Sequence, residues 1–230
     1  LAEEKNHLIE SLPRKDRLGL LSVCKRVELG LAAVLSEPGM SMHHAYFPTE
    51  GFISLVARIE GSPGVEVGMI GSEGMLGAHF ALGVSLSPLH AVVQGPGLAW
   101  QVSAGALQRE LRDSAALRQE LGRYIYVLME QLAHSAGCLR FHLIGPRLAR
   151  WLLMSQDRSR SDCFRVTHEF LAYMLGVRRV GVTTAAGALQ KEGLIAYRRG
   201  EVTILDRSGL QAAACGCYAA DRHTYTVSMP

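Results

Sequence analysis

The side chains best suited to chemistry lie together between residues 166 and 195. Arg178, Arg179, Thr183 and Thr184 recur at spacings that put them on one side of a helix. Val182, Ala185, Ala186 and Leu189 occupy the opposite side. A face of two guanidinium groups and two hydroxyls suits hydrogen bonding to ordered acceptors on a polyanion. A second helix precedes it. Thr167 can cap that helix by accepting a free backbone N–H of its first turn. Phe170, Leu171, Met174 and Leu175 give it one apolar face, and Gly176 supplies a turn that needs positive φ. Two short amphipathic helices joined by such a turn form a helix-turn-helix, whose second helix enters the DNA major groove.

Residues 194–205 then read as two β-type runs around Arg199-Gly200, a hairpin with a basic tip. These spacings assign base readout to Arg178, Arg179, Thr183 and Thr184. They assign phosphate contact to Thr167, His168, Lys191, Arg198 and Arg199. The plainer alternative is a helical pair with a hairpin inside an enzyme domain. The basic, hydroxyl-bearing face followed by a basic tip argues against it.

The formal charge of the 230-residue chain is only +3, yet it is unevenly spread. Residues 144–230 hold 12 Arg or Lys against 7 Asp or Glu, and the remainder holds 12 against 14. The basic excess accompanies the proposed DNA-binding region, as phosphate contact requires. Hydrophobic residues make up 48% and charged residues 20%, the composition of a folded, core-forming protein. No apolar run approaches the ~18 residues of a membrane span. The first residues are polar and carry no apolar signal core, so a cytoplasmic protein without membrane partners is expected.

Other chemistries find little support. There is no nucleophile–base pattern or paired-carboxylate motif, so an enzyme is not expected. The glycines of residues 71–77 lack the Gly-Lys-Ser/Thr of a phosphate loop. The cysteines are Cys24, Cys138, Cys163, Cys215 and Cys217, an odd and scattered set unlike a secreted disulfide framework. Cys215 and Cys217 read as two small thiols on a terminal helix. Only His223 lies near them in sequence, so no metal site is expected. His43, His44, His79 and His90 are read as surface or core histidines, and no cofactor is expected.

The elements that must position the basic face follow from composition. Residues 5–23 look like one helix. Residues 25–102 alternate short β-type runs (32–35, 45–47, 52–59, 65–69, 90–93 and 98–102) with Gly and Pro turns, which suggests a jelly-roll-like barrel or sandwich. Residues 103–111 form a short helix and residues 114–143 a long one. Leu121, Ile125, Leu128, Leu132, Ser135 and Leu139 step along it by alternating fours and threes, the seam of two helices packed side by side. A dimer through that seam suits a palindromic site. Gly145-Pro146 is expected to break the helix, with a new one over residues 147–155. The class is α+β, in three parts: a β-roll at 1–113, a dimerisation helix at 114–143 and a winged helix-turn-helix at 144–230.

This order of parts, together with Gly176-Val177-Arg178-Arg179, resembles the Crp/Fnr family of bacterial transcription regulators. The resemblance covers nearly the whole chain and is strongest over residues 141–205. It implies a sensing β-roll, a dimerising long helix and a DNA-binding winged domain. It places Arg179 on the family's guanine-reading Arg, which can bond O6 and N7 together. It also marks departures: Val180 stands at the next contact, often Glu in the family, and Thr184 at a second Arg. In the sensor, Gly71, Glu73, Gly74 and Met75 fall on the family's ribose-binding segment, with Met75 where the Glu belongs. Residues 87–91 supply no phosphate-binding Arg. Leu132 and Ala133 replace the pair that meets the base. Gly71, Glu73, Gly74, Met75, Leu132 and Ala133 are thus the candidate effector pocket, and cyclic AMP in the family manner is not expected there. The effector stays open. The expected partners are double-stranded DNA with an inverted repeat, a second copy of the chain and, further, RNA polymerase. The alternative is an effector-binding or protein-interaction module whose winged domain does not read DNA.

Overall fold

A computed structural model describes residues 5–61 and 63–229. Two helices open it, α1 (His7–Glu10) and α2 (Arg14–Ser22). The single helix expected over residues 5–23 is divided because Pro13 cannot donate inside a helix; it stands instead at the N-cap of α2. Asn6 caps α1 and also donates from Nδ2 to Pro48 O (2.9 Å) and Gly74 O (2.7 Å), pinning the opening segment to the β-roll.

The roll contains β1 (Lys25–Leu29), β2 (Val34–Ser36), β3 (His44–Pro48), β4 (Phe52–Ala57), β5 (Val65–Ile70), β6 (His90–Gly95) and β7 (Gly97–Ser103). They form two antiparallel sheets, ordered β1-β7-β3 and β2-β6-β4-β5. Phe47, Ile53, Ile70 and Val93 are fully buried in the core, which Leu107 of α3 (Ala104–Asp113) and Leu121 of α4 (Ala115–Phe141) share. Ser103 and Ser114 cap these two helices through their hydroxyls.

The long helix ends at His142, and α5 (Ile144–Ser159) starts at once. The break expected at Gly145-Pro146 therefore lies two or three residues earlier. Pro146 sits in the first turn of α5, where its missing N–H costs nothing. Then come β8 (Cys163–Arg165), α6 (His168–Leu175), α7 (Arg179–Lys191), β9 (Ile195–Arg198) and β10 (Glu201–Ile204), the strands ordered β8-β10-β9. Two further helices, α8 (Arg207–Ala213) and α9 (Cys217–Ser228), complete the chain, and α9 packs on α4. The winged domain is docked on the roll: Phe52, Val56, Met69 and Val92 share one apolar cluster with Leu148, Leu152, Leu171 and Leu175. Among the described residues, no helix is long and apolar enough to cross a membrane.

The seam residues divide. Leu121 and Ser135 are buried within the chain, and Ile125 and Leu128 are half-buried against its core. Leu139 is half-buried and Leu132 only just exposed. The open stripe lies one residue further on: Gly122, Tyr126, Met129, Ala133, Ala136 and Arg140 are all exposed, at the same alternation of fours and threes. An a/d repeat and its neighbour by one residue have equal periodicity. The helix chooses between them by which face its own β-roll covers.

Candidate nucleic-acid interface

The interface is assembled on a rigid corner. Thr167 Oγ1 accepts the Phe170 N–H at 3.1 Å, starting α6. Gly176, at φ 61°, ends it, and the Val177 N–H returns to Ala172 O at 3.0 Å. That left-handed residue turns the chain into α7. Val182, Ala186 and Leu189 seat α7 on the core. At Gly181 a Cβ would stand 2.7 Å from Ile144 Cδ1, so the glycine lets α5 and α7 approach.

With that face buried, Arg178, Arg179, Val180, Thr183 and Thr184 all point to solvent. Arg178 is the N-cap of α7 and Arg179 its first residue, so both guanidiniums project from the leading end of the helix. Glu169 Oε2 lies 4.0 Å from Arg179 Nε, with both side chains well exposed, a weak tether that a phosphate or base edge can replace. The Thr183 and Thr184 hydroxyls donate to Arg179 O and Val180 O at 3.1 and 3.0 Å. Their oxygens retain acceptor capacity and their methyls remain for apolar contact. Val180 is 69% exposed, an apolar residue on a face otherwise polar. The base-reading set drawn from the sequence omitted it because its chemistry is not polar. Such a side chain can meet a thymine methyl.

The hairpin tip projects beside this helix. Arg199 and Gly200 take φ of 52° and 79°, the two positive values of a tight I′-type turn. Arg198 and Arg199 are exposed, as is Lys191 at the far end of α7. The Tyr197 phenol donates to Val166 O, tying the strand to the segment before α6. His168, expected at a phosphate, packs within the domain. Its ring lies 4.4 Å from that of Tyr197, Nδ1 is 3.0 Å from Thr183 Oγ1, and Nε2 is buried. Burial and then the charge of Arg179 hold its pKa below the ordinary histidine value. It braces α6, α7 and the wing against one another.

The candidate effector residues separate into two places. Met75 and Leu132 line an apolar pocket of about 240 Å³ between the roll and α4, with Leu76, His79, Leu89 and Leu128. Met75 is fully buried there. Gly71, Glu73 and Gly74 lie outside that lining. Glu73 Oε1 accepts from Gly71 N at 3.1 Å and from Arg158 of α5 at 2.7 Å, while the Tyr225 phenol donates to Glu73 O at 3.0 Å. The segment that resembles a ribose site thus joins the roll to the winged domain. Glu73 borders a second pocket of about 360 Å³ with Tyr124, Gln131, Arg158, Asp221 and Tyr225. Ala133 is exposed on α4.

Of the sensor histidines, His90 is held by Glu37 at 3.0 Å. His79 is half-buried in the apolar pocket, where desolvation lowers its pKa. The metal-type donors that do converge lie elsewhere. Cys138 and His142 join Cys215 and Cys217, with all four donor atoms within 4.8 Å of one another. Sequence proximity offered only His223, because the two added donors lie 77 and 75 residues from their neighbours.

Residues 146–213 match the Crp-like helix-turn-helix domain family. Among proteins of curated function, none matches the sequence. Solved structures match over most of their length. CLP, described as a c-di-GMP-responsive global regulator of Xanthomonas campestris, is 17% identical with a TM-score of 0.69, covering 84% of this chain and 100% of that one. FixK2 from Bradyrhizobium japonicum is 12% identical with a TM-score of 0.67, over 84% and 98%. TTHB099, a regulator of the CRP family from Thermus thermophilus, is 21% identical with a TM-score of 0.64, over 83% and 96%. At these identities the likeness is one of fold.

Proposed function

The chain has the fold of Crp/Fnr regulators and carries a Crp-like helix-turn-helix domain at residues 146–213, and on that premise we propose that it is a homodimeric, sequence-specific DNA-binding transcription regulator. The observation that carries this reading is the solvent face of α7. Arg178, Arg179, Val180, Thr183 and Thr184 are exposed on a helix locked from behind, next to a basic hairpin tip. Arg179 bonds a guanine edge, and Val180 with the threonine methyls favours thymines nearby. Arg198, Arg199 and Lys191 fix the register on phosphates. Two copies pair through the open stripe of α4, where Tyr126 and Met129 supply the apolar area and Ala133 and Ala136 let the helices approach. The site read is an inverted repeat with half-sites about one helical turn apart.

The sensor takes an apolar effector or is filled by its own side chains. Met75 lines the pocket, and no Arg lies among residues 80–100 to balance a buried phosphate. Cyclic AMP bound as in the family therefore has no counter-charge. Selection of genomic fragments by the purified protein tests the function. Enrichment of one inverted-repeat motif supports it. Salt-insensitive binding without any motif contradicts it and favours a module that does not read DNA.

A further inference from the structure

Where the long helix gives way to the winged domain, four donor atoms meet. Cys138 lies in the last turn of α4, and His142 is the residue that ends it. Cys215 lies in the turn after α8, and Cys217 opens α9. Cys138 Sγ stands 3.5 Å from Cys215 Sγ, and Cys217 Sγ 3.6 Å from His142 Nδ1. A tetrahedral zinc ion with Zn–S of about 2.3 Å and Zn–N of about 2.0 Å requires S···S edges of roughly 3.8 Å and S···N edges of roughly 3.5 Å. The Cys217–His142 separation matches such an edge, the Cys138–Cys215 separation is within about 0.3 Å of one, and the other pairs lie within 4.8 Å. Confinement of all four donors within 4.8 Å of one another suits one ion at the centre rather than a binuclear cluster.

Charge gives an independent reason. Arg147 is 7% exposed, donates to Leu175 O, and has no carboxylate partner among the described residues. Its neighbour Arg150 is already paired with Asp221 at 2.6 Å. A buried, uncompensated guanidinium is costly. Burial and the like charge of Arg150 work against the Arg147 charge, and only Cys138 and Cys215, in their negative form, would favour it. Three thiolates and one histidine around a dication carry a net charge of −1, which balances Arg147. A Cys138–Cys215 disulfide would be neutral and would leave that charge unanswered.

We propose that Cys138, His142, Cys215 and Cys217 bind a single zinc ion that clamps the end of α4 to the start of α9. The donor set selects zinc, because three sulfurs and an imidazole in tetrahedral array are its ordinary structural ligands. The clamp spans the joint at His142–Leu143, from which the winged domain departs. It fixes that domain's placement relative to the long helix.

Metal analysis of the full chain, purified under reducing conditions from zinc-supplemented medium, tests this without any DNA. The expected result is about one zinc per chain. Cobalt(II) in its place should show the absorption of a tetrahedral ion with thiolate charge transfer. Cys138→Ala, His142→Ala and Cys217→Ser should each lose the metal, whereas Cys24→Ser and Cys163→Ser should keep it. Circular dichroism reports folding, and Cys217→Ser, at a half-buried position, serves if Cys138→Ala does not fold. Zinc-free protein after supplementation, or zinc retained by both His142→Ala and Cys217→Ser, overturns the proposal. So does a Cys138–Cys215 disulfide found by mass spectrometry in metal-free protein.

Discussion

Glu66→Gln should make the protein less sensitive to pH, and the structure sets the size of the effect. Glu66 lies on β5 and faces the joint with α5. Its Oε2 is buried without a well-placed hydrogen-bond partner among the described residues. Burial is the largest influence on its carboxyl and pushes the pKa from 4.5 up to about 7. Ser54, Arg150, Arg158 and Trp151 oppose the rise without cancelling it. The two arginines are already engaged, Arg150 by Asp221 and Arg158 by Glu73. The folded state therefore holds a proton that the unfolded chain releases. Below about pH 4.5 the group is neutral in both states and costs nothing. Stability falls as pH rises from 4.5 to about 7, and then the loss is complete. At ~1.4 kcal/mol per tenfold change in acidity, the full loss is about 3 kcal/mol. In a chain of this length that corresponds to roughly 6–12 °C in Tm. Gln keeps the shape and stays neutral. Thermal melts of both proteins from pH 4.5 to 8 should converge at the acid end and separate progressively, with the variant higher at pH 8. A difference that stays constant across that range refutes the assignment of a raised pKa to Glu66.

The remaining expectations concern packing, assembly and phosphate contact. Gly74→Ala would place a Cβ 2.0 Å from the buried Tyr124 hydroxyl oxygen. It should cost about 1–3 kcal/mol in a thermal or denaturant melt. Met129→Glu combined with Ala133→Glu puts like charges along the open stripe of α4, and light scattering at micromolar concentration should then report monomers where the parent gives dimers. Arg199→Ala should weaken binding to all DNA sequences alike and reduce the slope of log K against log salt by about one.

The winged domain was legible because its signals are local. Thr167, Gly176 and Arg199-Gly200 each need a particular backbone geometry, and each stands where the structure uses it. Most strands of the roll were visible for the same reason, since Gly and Pro turns bracket β3 to β7. The missed elements lack such marks. β1 starts with exposed Lys25 and Arg26, so no alternation of apolar residues announces it. β8 has only three residues and exists because β10 pairs with it. The face of α4 that is open to a partner depends on how the roll covers the helix, which periodicity does not encode. The same holds for the cluster of three cysteines and one histidine. Cys138 and His142 meet Cys215 and Cys217 only after α9 has folded back along α4. The pocket residues divided for a related reason: Glu73 is recruited by Arg158, a residue of another domain.

If α7 reads base edges, Arg179, the first residue of that helix, leads the reading. Titration of Arg179→Ala and the parent on a selected inverted repeat and on a scrambled version, each at two salt concentrations, tests it most directly. The loss should be about 1–3 kcal/mol on the selected site, with relaxed preference at one base pair of each half-site and little change on scrambled DNA. Equal losses on both sequences would contradict it, because Arg179 would then be acting on phosphates alone.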